Sequence, residues 1–276
     1  MSVRIWDSPN PNPNLRLWGH NGVDMETNKI NIYNKDFDWV MMKDRIQKNK
    51  EIPKTIYIKT DYLSKYKNEL IKYDDYVLFV ACSDDSAQDN KDFNEILEHC
   101  KHAYIENKKI PHPKVSALSV GLATHTPEME SMIGAVEPCY HKKHRIFCRW
   151  RARESPQRLT AIHFAAFDSR CDMYNDEMDY ETFLNTLNKY KFALCPVGFG
   201  EDPAPRIIEV LSVGTIPIVL RTLCTVELYS KFPIIIVDNW KDIDIKSYCT
   251  GDFNLYRHFE ITQYLKSLLL PYLAVV

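Results

Sequence analysis

The stretch KYKFALCPVGFGEDPAPRIIEVLSVGTIPIVL, residues 189–220, joins two short apolar segments through a loop and a helical pattern. The first apolar segment, FALCPV, ends at a loop that contains Gly198 and Gly200. The helical pattern RIIEVLSVG follows, and TIPIVL is the second apolar segment. Short, continuous apolar segments on either side of a helix are typical of parallel strands that are buried on both faces. The stretch therefore predicts a strand–helix–strand unit of a parallel sheet.

The same alternation continues along most of the chain. The predicted strands lie at residues 55–60, 76–82, 102–107, 115–123, 145–150, 161–167, 192–197, 215–220 and 233–237. Further predicted helices lie at residues 62–73, 92–100, 180–190 and 261–273. Strands that alternate with helices predict parallel sheets covered by helices on both faces.

The segment at 124–144 has no strand pattern and ends in a basic cluster, so we place a domain junction there. The sequence predicts an α/β fold with two facing parallel sheets, in an N-terminal domain at 1–140 and a C-terminal domain at 141–276. Whether the last predicted helix packs back on the N-terminal domain stays open. In such sheets, ligands bind beyond the carboxyl ends of the strands. A cleft between two such domains suits a group transfer, because its closure excludes water.

Composition excludes several classes of protein. The 276 residues are 45% hydrophobic and carry a net charge of −2, which excludes global disorder and gives no general attraction to nucleic acid or anionic membranes. The eight cysteines include no CxxC pair and are typical of reduced thiols rather than disulfides or structural zinc sites. No apolar run can span a bilayer, and residues 1–20 lack an apolar signal core. We therefore expect a cytoplasmic protein.

Arg206 and Glu209 are candidate ligand-binding residues at the start of the predicted helix. Helix N-terminal amides and an arginine fork together make a phosphate site. Glu209 lies at i+3 on the same side of the helix, where its carboxylate can accept hydrogen bonds from vicinal hydroxyls such as those of a ribose. The simpler interpretation is that the two side chains pair on the helix surface. Spacing alone favours neither interpretation.

Several motifs resemble the exostosin family of glycosyltransferases. They are the helix YETFLNTLNKY, the strand KFALCP, Gly198 and Gly200, Arg206-Ile-Ile-Glu209, Gly214-Thr-Ile-Pro217-Ile-Val, PIIIVDNW at 233–240, IPHPKVSALSVGL at 110–122 and RIFCRWRARESPQRL at 145–159. The resemblance covers residues 105–245 and is densest over 180–240. Val197 and Pro205 depart from the family's pattern.

The resemblance implies a GT-B fold, in which two Rossmann-like domains face each other across a cleft. It also implies transfer of a sugar, with inversion, from a UDP-sugar to a hydroxyl of an oligosaccharide or glycoprotein glycan. The donor sugar could be xylose, glucuronic acid, galactose or N-acetylglucosamine. The donor would bind the C-terminal domain through Arg206, Glu209, Pro196, Gly198 and Gly200.

A group of arginines follows the strand predicted at 145–150. Arg149, Arg151 and Arg153 are favoured as donor-binding residues, with Arg158 nearby, because cations stabilise the charge that grows on a departing diphosphate. Any single one of these arginines is more simply a solvated side chain. With these cations present we expect no obligatory metal, and Mg²⁺ or Mn²⁺ only as a stimulant. The Asp-x-Asp sequence at Asp242 occurs after the last strand and is best explained by chance.

An inverting transfer needs a general base that accepts the proton of the acceptor hydroxyl. Asp85 and Asp84 follow a buried strand and are the first candidates, with Asp85 marginally preferred, ahead of His125 and Asp61. Each of these is alternatively a helix cap or turn residue. The acceptor-binding candidates are Trp18 and His20 in the N-terminal arm, where an aromatic ring can stack on a sugar; the alternative is an arm that packs on the surface.

Two other functional classes remain in competition. One is a carbohydrate- or nucleotide-binding protein that keeps the fold without catalysis. The other is a Rossmann-like enzyme that does not act on sugars, which the absence of a GxGxxG or Walker motif disfavours. Because eukaryotic exostosins usually carry an N-terminal membrane anchor, the sequence points to a microbial or viral member, or to a shortened chain.

Overall fold

The structure is a computed structural model. It describes residues 37–41, 46–121, 136–137, 139–150 and 155–247, and the backbone alone at 23–24 and 29–30. The first two strands, β1 (Val23–Asp24) and β2 (Lys29–Ile30), form a short antiparallel pair. The other strands within the described residues belong to two larger sheets.

The first sheet is built from the N-terminal half of the chain. Its strands are β3 (Trp39–Met41), β4 (Ile46–Lys48), β5 (Thr55–Lys59), β6 (Tyr76–Ala81), β7 (Cys100–Ile105) and β8 (Val115–Ala117). Their order is β4-β3-β5-β6-β7-β8, and all neighbours pair in parallel except β3 and β4. Two helices, α1 (Leu63–Leu70) and α2 (Phe93–His99), connect the central strands. Every residue of β6 is buried, which explains its continuous apolar sequence.

The second sheet is entirely parallel, and a helix occupies each connection between its consecutive strands. Its strands are β9 (Lys143–Cys148), β10 (Cys171–Met173), β11 (Tyr190–Leu194), β12 (Ile216–Leu220) and β13 (Ile235–Val237), in the order β10-β9-β11-β12-β13. The connecting helices are α3 (Pro156–Phe167), α4 (Tyr180–Leu187), α5 (Arg206–Ser212) and α6 (Leu223–Tyr229). Single 3₁₀ turns lie at Thr60–Tyr62, Ala87–Asp89, Cys139–His141 and Trp240–Asp242.

The predicted α/β architecture with two parallel sheets is confirmed, but the strand predicted at 161–167 is wrong. This segment belongs to α3, whose first turn is fixed by the Ser155 side chain, which accepts a hydrogen bond from the backbone N–H of Arg158. Pro156 occupies the first helical position, where its missing N–H is not needed. Phe167 is 81% exposed, so the apolar run does not mark a strand buried on both faces.

Several strand boundaries also differ from the sequence prediction. The strand predicted at 115–123 is limited to β8 within the residues described there, and no strand continues through 118–121. Three of the strands that were not predicted, β3, β4 and β10, have only three residues each, too few to show a pattern. The helix predicted at 261–273 lies outside the described residues, as does most of the junction at 124–144. Among the described helices, none has the length and apolar character needed to cross a membrane.

The two sheets are joined by apolar and polar contacts. One buried apolar cluster includes Phe79 and Tyr104 of the first sheet together with Phe147 and Leu228 from the second half of the chain. Beside it, Glu227 on α6 accepts hydrogen bonds from Lys108 Nζ at 2.5 Å and from the backbone N–H of Ala117 at 2.9 Å.

Further polar contacts connect the same two halves. The Ser119 and Tyr229 hydroxyls lie 2.9 Å apart, and the backbone N–H of Val120 donates to Asp202 Oδ2 at 2.9 Å. The residues after β8 are therefore fixed against the second sheet through side chains of α6 and of the loop before α5.

Removal of the Glu227 carboxylate should destabilise the protein, because it leaves the Lys108 ammonium, whose side chain is only 6% exposed, without this partner. We expect Glu227→Ala to lower the free energy of unfolding by about 1–3 kcal/mol, measured by urea denaturation. The matched control is Asp238→Ala, which removes the exposed Arg221–Asp238 ion pair and should change the free energy by at most about 1 kcal/mol. Equal losses in the two variants would contradict a stabilising role for Glu227 between the sheets.

Candidate functional site

A cavity of about 510 Å³ lies between the two sheets. One wall comes from the segments that follow β6 and β7, and includes Asp84 and Glu106. The other wall comes from the end of β9 and the β11–α5 connection, and includes Arg149 and Arg206. The cavity is thus located beyond the carboxyl ends of parallel strands, where open α/β sheets bind ligands.

Arg206 and Glu209 both line this cavity, and they also pair with each other. Arg206 Nε lies 3.3 Å from Glu209 Oε2, and the hydroxyl of Tyr180 donates to Glu209 Oε1 at 3.3 Å. The Arg206 guanidinium lies 4.1 Å from the ring centre of Phe183, an attractive cation–π arrangement. The spacing left open whether Arg206 and Glu209 bind a ligand or pair with each other. The two interpretations are compatible, since the paired side chains line the cavity.

The ion pair with Glu209 leaves part of the Arg206 fork available. Its Nη1 atom is buried and has no hydrogen-bond partner among the described residues. A buried N–H group without a partner is unfavourable unless a ligand satisfies it. Glu209 and Phe183 thus orient the guanidinium, while Nη1 remains able to donate.

The amides at the start of α5 do not contribute to an anion site in the way expected. The backbone N–H of Ile207 donates to the carbonyl of Pro203 at 3.4 Å, and those of Ile208 and Glu209 donate to the carbonyl of Pro205 at 3.1 Å. The expectation that helix amides hold a phosphate is wrong for these three groups.

Arg149 and Arg158 also line the cavity. Arg149 Nη2 donates to the backbone carbonyl of Asp176 at 3.3 Å. Arg158, which the sequence analysis names beside the three favoured arginines, is in the first turn of α3. Two of the favoured arginines, Arg151 and Arg153, lie outside the described residues.

The loop after β11 contributes Pro196, Gly198 and Gly200 to the cavity wall. A Cβ atom at Gly198 would lie 3.4 Å from Arg158 Nη2, which is an ordinary contact. A Cβ atom at Gly200 would lie 2.2 Å from Asn107 Oδ1, which is impossible without movement. The close fit at position 200 thus involves the side chain of Asn107, in the turn that follows β7.

The candidate bases differ in their positions. Asp84 and Asp85 are both exposed after β6, but only Asp84 is among the residues that line the cavity. Asp61 forms an ion pair with Lys59. His125, Trp18 and His20 lie outside the described residues.

Glu106 is a carboxylate on the cavity wall that the sequence analysis did not single out. It directly follows β7, is only 5% exposed, and accepts a hydrogen bond from the backbone N–H of Cys82 at 2.8 Å. The available signal was an acid at the carboxyl end of a buried parallel strand, the same signal that pointed to Asp84. The sequence prediction placed Glu106 inside the strand at 102–107, and so did not identify it as a residue at the end of a strand.

A second unanticipated carboxylate on the wall is Asp202, which lies in the loop before α5 and is buried. Burial raises the pKa of the Asp202 carboxyl above its ordinary value, opposed by hydrogen bonds from the backbone N–H groups of Ala204 and Val120 and from the Tyr229 hydroxyl. All these partners are donors, so Asp202 is better suited to fixing the loop than to accepting a substrate proton.

Metal ligation receives no support from the part of the chain that the structure describes. Within it, no three side chains of histidine, cysteine, aspartate or glutamate are grouped so that they could hold a metal ion. Asp242 and Asp244 are exposed, and neither lines the cavity.

Comparisons with known proteins leave the family open. No protein-family model matches the chain, and no curated protein matches its sequence. The solved structures that share part of the backbone arrangement include two of trehalose-6-phosphate synthase. The first was studied with bisubstrate glycomimetics as an enzyme of glycosyl transfer with retention. Its TM-score is 0.40 and its sequence identity is 10%, and the match covers 80% of this chain and 74% of the synthase chain. The second has a TM-score of 0.39 and 10% sequence identity, and the match covers 80% of this chain and 72% of the synthase chain. At this level of similarity, neither carries an argument about function.

Proposed function

We propose that this protein is an inverting glycosyltransferase that moves a sugar from a UDP-sugar to a hydroxyl of a glycan acceptor. The observation that carries the proposal is the arrangement of charged side chains around the cavity. Arg149, Arg158 and Arg206 line the wall formed by the second sheet, together with the carboxylates of Glu209 and the buried Asp202, while the carboxylates of Asp84 and Glu106 line the wall formed by the first. A site that holds an anionic leaving group on one side and a proton acceptor on the other suits the transfer of a sugar to a hydroxyl.

The donor is assigned to the second sheet. Arg206 offers its Nη1 donor to a phosphate oxygen, and arginine binds phosphate strongly because its N–H groups form a planar fork. Glu209, at 11% side-chain exposure, is placed to accept hydrogen bonds from ribose hydroxyls. Pro196, Gly198 and Gly200 shape the loop beside the diphosphate.

The leaving group requires stabilisation, because the bond between the anomeric carbon and the diphosphate oxygen breaks with its electron pair on UDP. Arg149 and Arg158 stand on the same wall as Arg206, and positive charge held in place before the reaction lowers its barrier. Arg151 and Arg153 are proposed for the same role. These cations make a metal unnecessary, with Mg²⁺ or Mn²⁺ as stimulants.

The acceptor is assigned to the first sheet. The acceptor hydroxyl forms the new bond to the anomeric carbon, and its proton passes to a carboxylate on the side opposite the departing UDP. Asp84 is the proposed base because it is a carboxylate that is both exposed and on the cavity wall. Glu106 is the second candidate, since its carboxylate also belongs to the cavity wall. Inversion is the stereochemistry that the exostosin resemblance implies.

The donor assignment predicts that Arg206→Ala and Glu209→Ala each weaken UDP binding by about 1.5–3 kcal/mol, because each removes a charged hydrogen-bond partner. Isothermal calorimetry with UDP measures the effect, and circular dichroism verifies folding. Arg221→Ala is the control, since it removes an exposed arginine that pairs with Asp238 and does not line the cavity. Unchanged UDP affinity in both cavity variants would exclude this wall as the donor site.

The arginine wall also predicts that sugar transfer persists in excess EDTA. Guanidinium groups take the place of a metal in neutralising the diphosphate, so added Mg²⁺ or Mn²⁺ should raise the rate without being required. Initial rates measured in EDTA and after metal is restored provide the test. Loss of all activity in EDTA, with recovery on metal addition, would contradict the prediction.

The proposed base predicts that Asp84→Asn lowers the transfer rate by roughly 10²–10⁴-fold, the usual effect of a lost general base. UDP affinity should stay near that of the wild type, because the donor binds the other wall. The donor for this assay is the UDP-sugar that most raises the melting temperature in a panel, since a ligand bound only to the native state stabilises it.

The companion variants identify the base. Asp85→Asn should have a smaller effect than Asp84→Asn, because Asp85 does not line the cavity. If Glu106→Gln lowers the transfer rate more than Asp84→Asn does, Glu106 is the general base. If all three variants transfer sugar at the wild-type rate, His125 and then Asp61 are the remaining candidates for the base. UDP binding without transfer to any acceptor would favour a non-catalytic binding protein.

A further inference from the structure

The side-chain amide of Asn107 contacts both walls of the cavity. Its Nδ2 donates to the backbone carbonyls of Ser83 at 2.8 Å and Asp84 at 3.3 Å. Its Oδ1 accepts from the backbone N–H groups of Glu201 at 2.8 Å and Asp202 at 3.3 Å. One amide thus satisfies two acceptors in the segment after β6 and two donors in the loop before α5.

These four contacts require the chemistry of an amide. The carbonyls on one side need N–H donors, and the N–H groups on the other side need an oxygen acceptor. An aspartate at position 107 would keep the acceptor but place a second oxygen against the carbonyls of Ser83 and Asp84. Asn107 is only 3% exposed, so such a mismatch would not be relieved by water.

Gly200 fits closely against the same amide. The three heavy atoms nearest to a Cβ built at Gly200 would all belong to Asn107, with Oδ1 at 2.2 Å, Cγ at 2.6 Å and Nδ2 at 2.8 Å. A methyl group at position 200 would therefore displace the Asn107 side chain and break its hydrogen bonds, although residue 107 itself remained unchanged.

The backbone on this side of the cavity adopts an uncommon conformation. Asn107 has φ of 56° and Cys82 has φ of 68°, which places both in the left-handed region that residues other than glycine rarely adopt. They follow the neighbouring strands β7 and β6. Such conformations persist only where surrounding contacts hold them, and they are frequent at functional sites.

We propose that Asn107 is a positioning residue that fixes the segment carrying Asp84 relative to the loop at 198–202, and so sets the distance between the base and the donor. This inference rests on the proposed function, with Asp84 on the acceptor side and the glycine loop on the donor side. A displacement of about 1 Å between reacting groups can lower a rate by about 10²-fold. Loss of Asn107 should therefore reduce transfer while leaving UDP bound by Arg206 and Glu209, which have no hydrogen bond to it in the structure.

The test compares Asn107→Gly, Gly200→Ala and the double variant. Glycine at position 107 removes the amide and tolerates a positive φ without strain. We expect each single variant to lower kcat by about 10²-fold, and Asn107→Gly to change UDP affinity by less than about threefold. The double variant should be no worse than Asn107→Gly alone, because removal of the amide also removes the clash with a methyl group at 200. Multiplied effects in the double variant would overturn the proposal.

Hydrogen–deuterium exchange gives a readout that does not depend on sugar transfer. In Asn107→Gly, exchange should rise both at 83–85 and at 201–202, whereas Asn107→Asp should raise it mainly at 83–85, because its oxygen still accepts from the loop. Asn239→Asp is the control, since this exposed residue caps a 3₁₀ turn and aspartate is an equally good cap. A rise in only one segment of Asn107→Gly would overturn the proposal.

The two hypotheses fail in different ways. If the wild-type protein binds no UDP and transfers no sugar, the proposed function is wrong, while the exchange pattern still decides whether Asn107 joins the walls. If the wild type transfers sugar but Asn107→Gly loses UDP affinity and kcat equally, the positioning role is wrong and the proposed function stands. If Asn107→Gly does not fold, Asn107→Asp carries the comparison of kcat with UDP affinity, and Gly200→Ala carries the comparison of kcat alone.

Discussion

The ion pair between Lys108 and Glu227 fixes the two halves of the molecule against each other. The Lys108 side chain is almost fully buried, and its ammonium donates to the backbone carbonyl of Val115 as well as to Glu227. An ammonium group in such a position is strongly unfavourable without a close carboxylate, so the two halves must meet with α6 over the end of the first sheet. This contact holds the two sheets together beside the cavity that lies between them.

Much of the fold could be predicted from the sequence because its strands are buried on both faces. YVLFVA and IPIVL are continuous apolar segments, and they are strands β6 and β12. The failure at 161–167 has a physical reason, since an apolar run of that length is compatible with either a helix or a strand. The N-cap at Ser155 favours the helix. Because Ser155 lies six residues before the apolar run, a prediction based on apolar runs alone does not include it.

The candidate site could be predicted only in part. The spacing of Arg206 and Glu209 places them on one side of a helix whatever the tertiary structure, and both line the cavity. The distinction between Asp84 and Asp85 depends on how the chain turns after β6, which no local pattern determines. The positions of Glu106 and Asn107 in the site depend on contacts between segments that are distant in the sequence. Composition and local patterns do not predict such contacts. The helix amides were misjudged because the prolines that precede α5 supply carbonyl acceptors for them.

The close contact between Gly200 and Asn107 has a consequence for the history of this sequence. Two positions far apart in the chain share one small volume, so neither can change freely while the other is kept. A larger residue at 200 becomes acceptable only in a lineage that has first acquired a shorter side chain at 107. The order of substitutions is thus restricted, and a reconstructed sequence that combined asparagine at 107 with a larger residue at 200 would contain a steric clash.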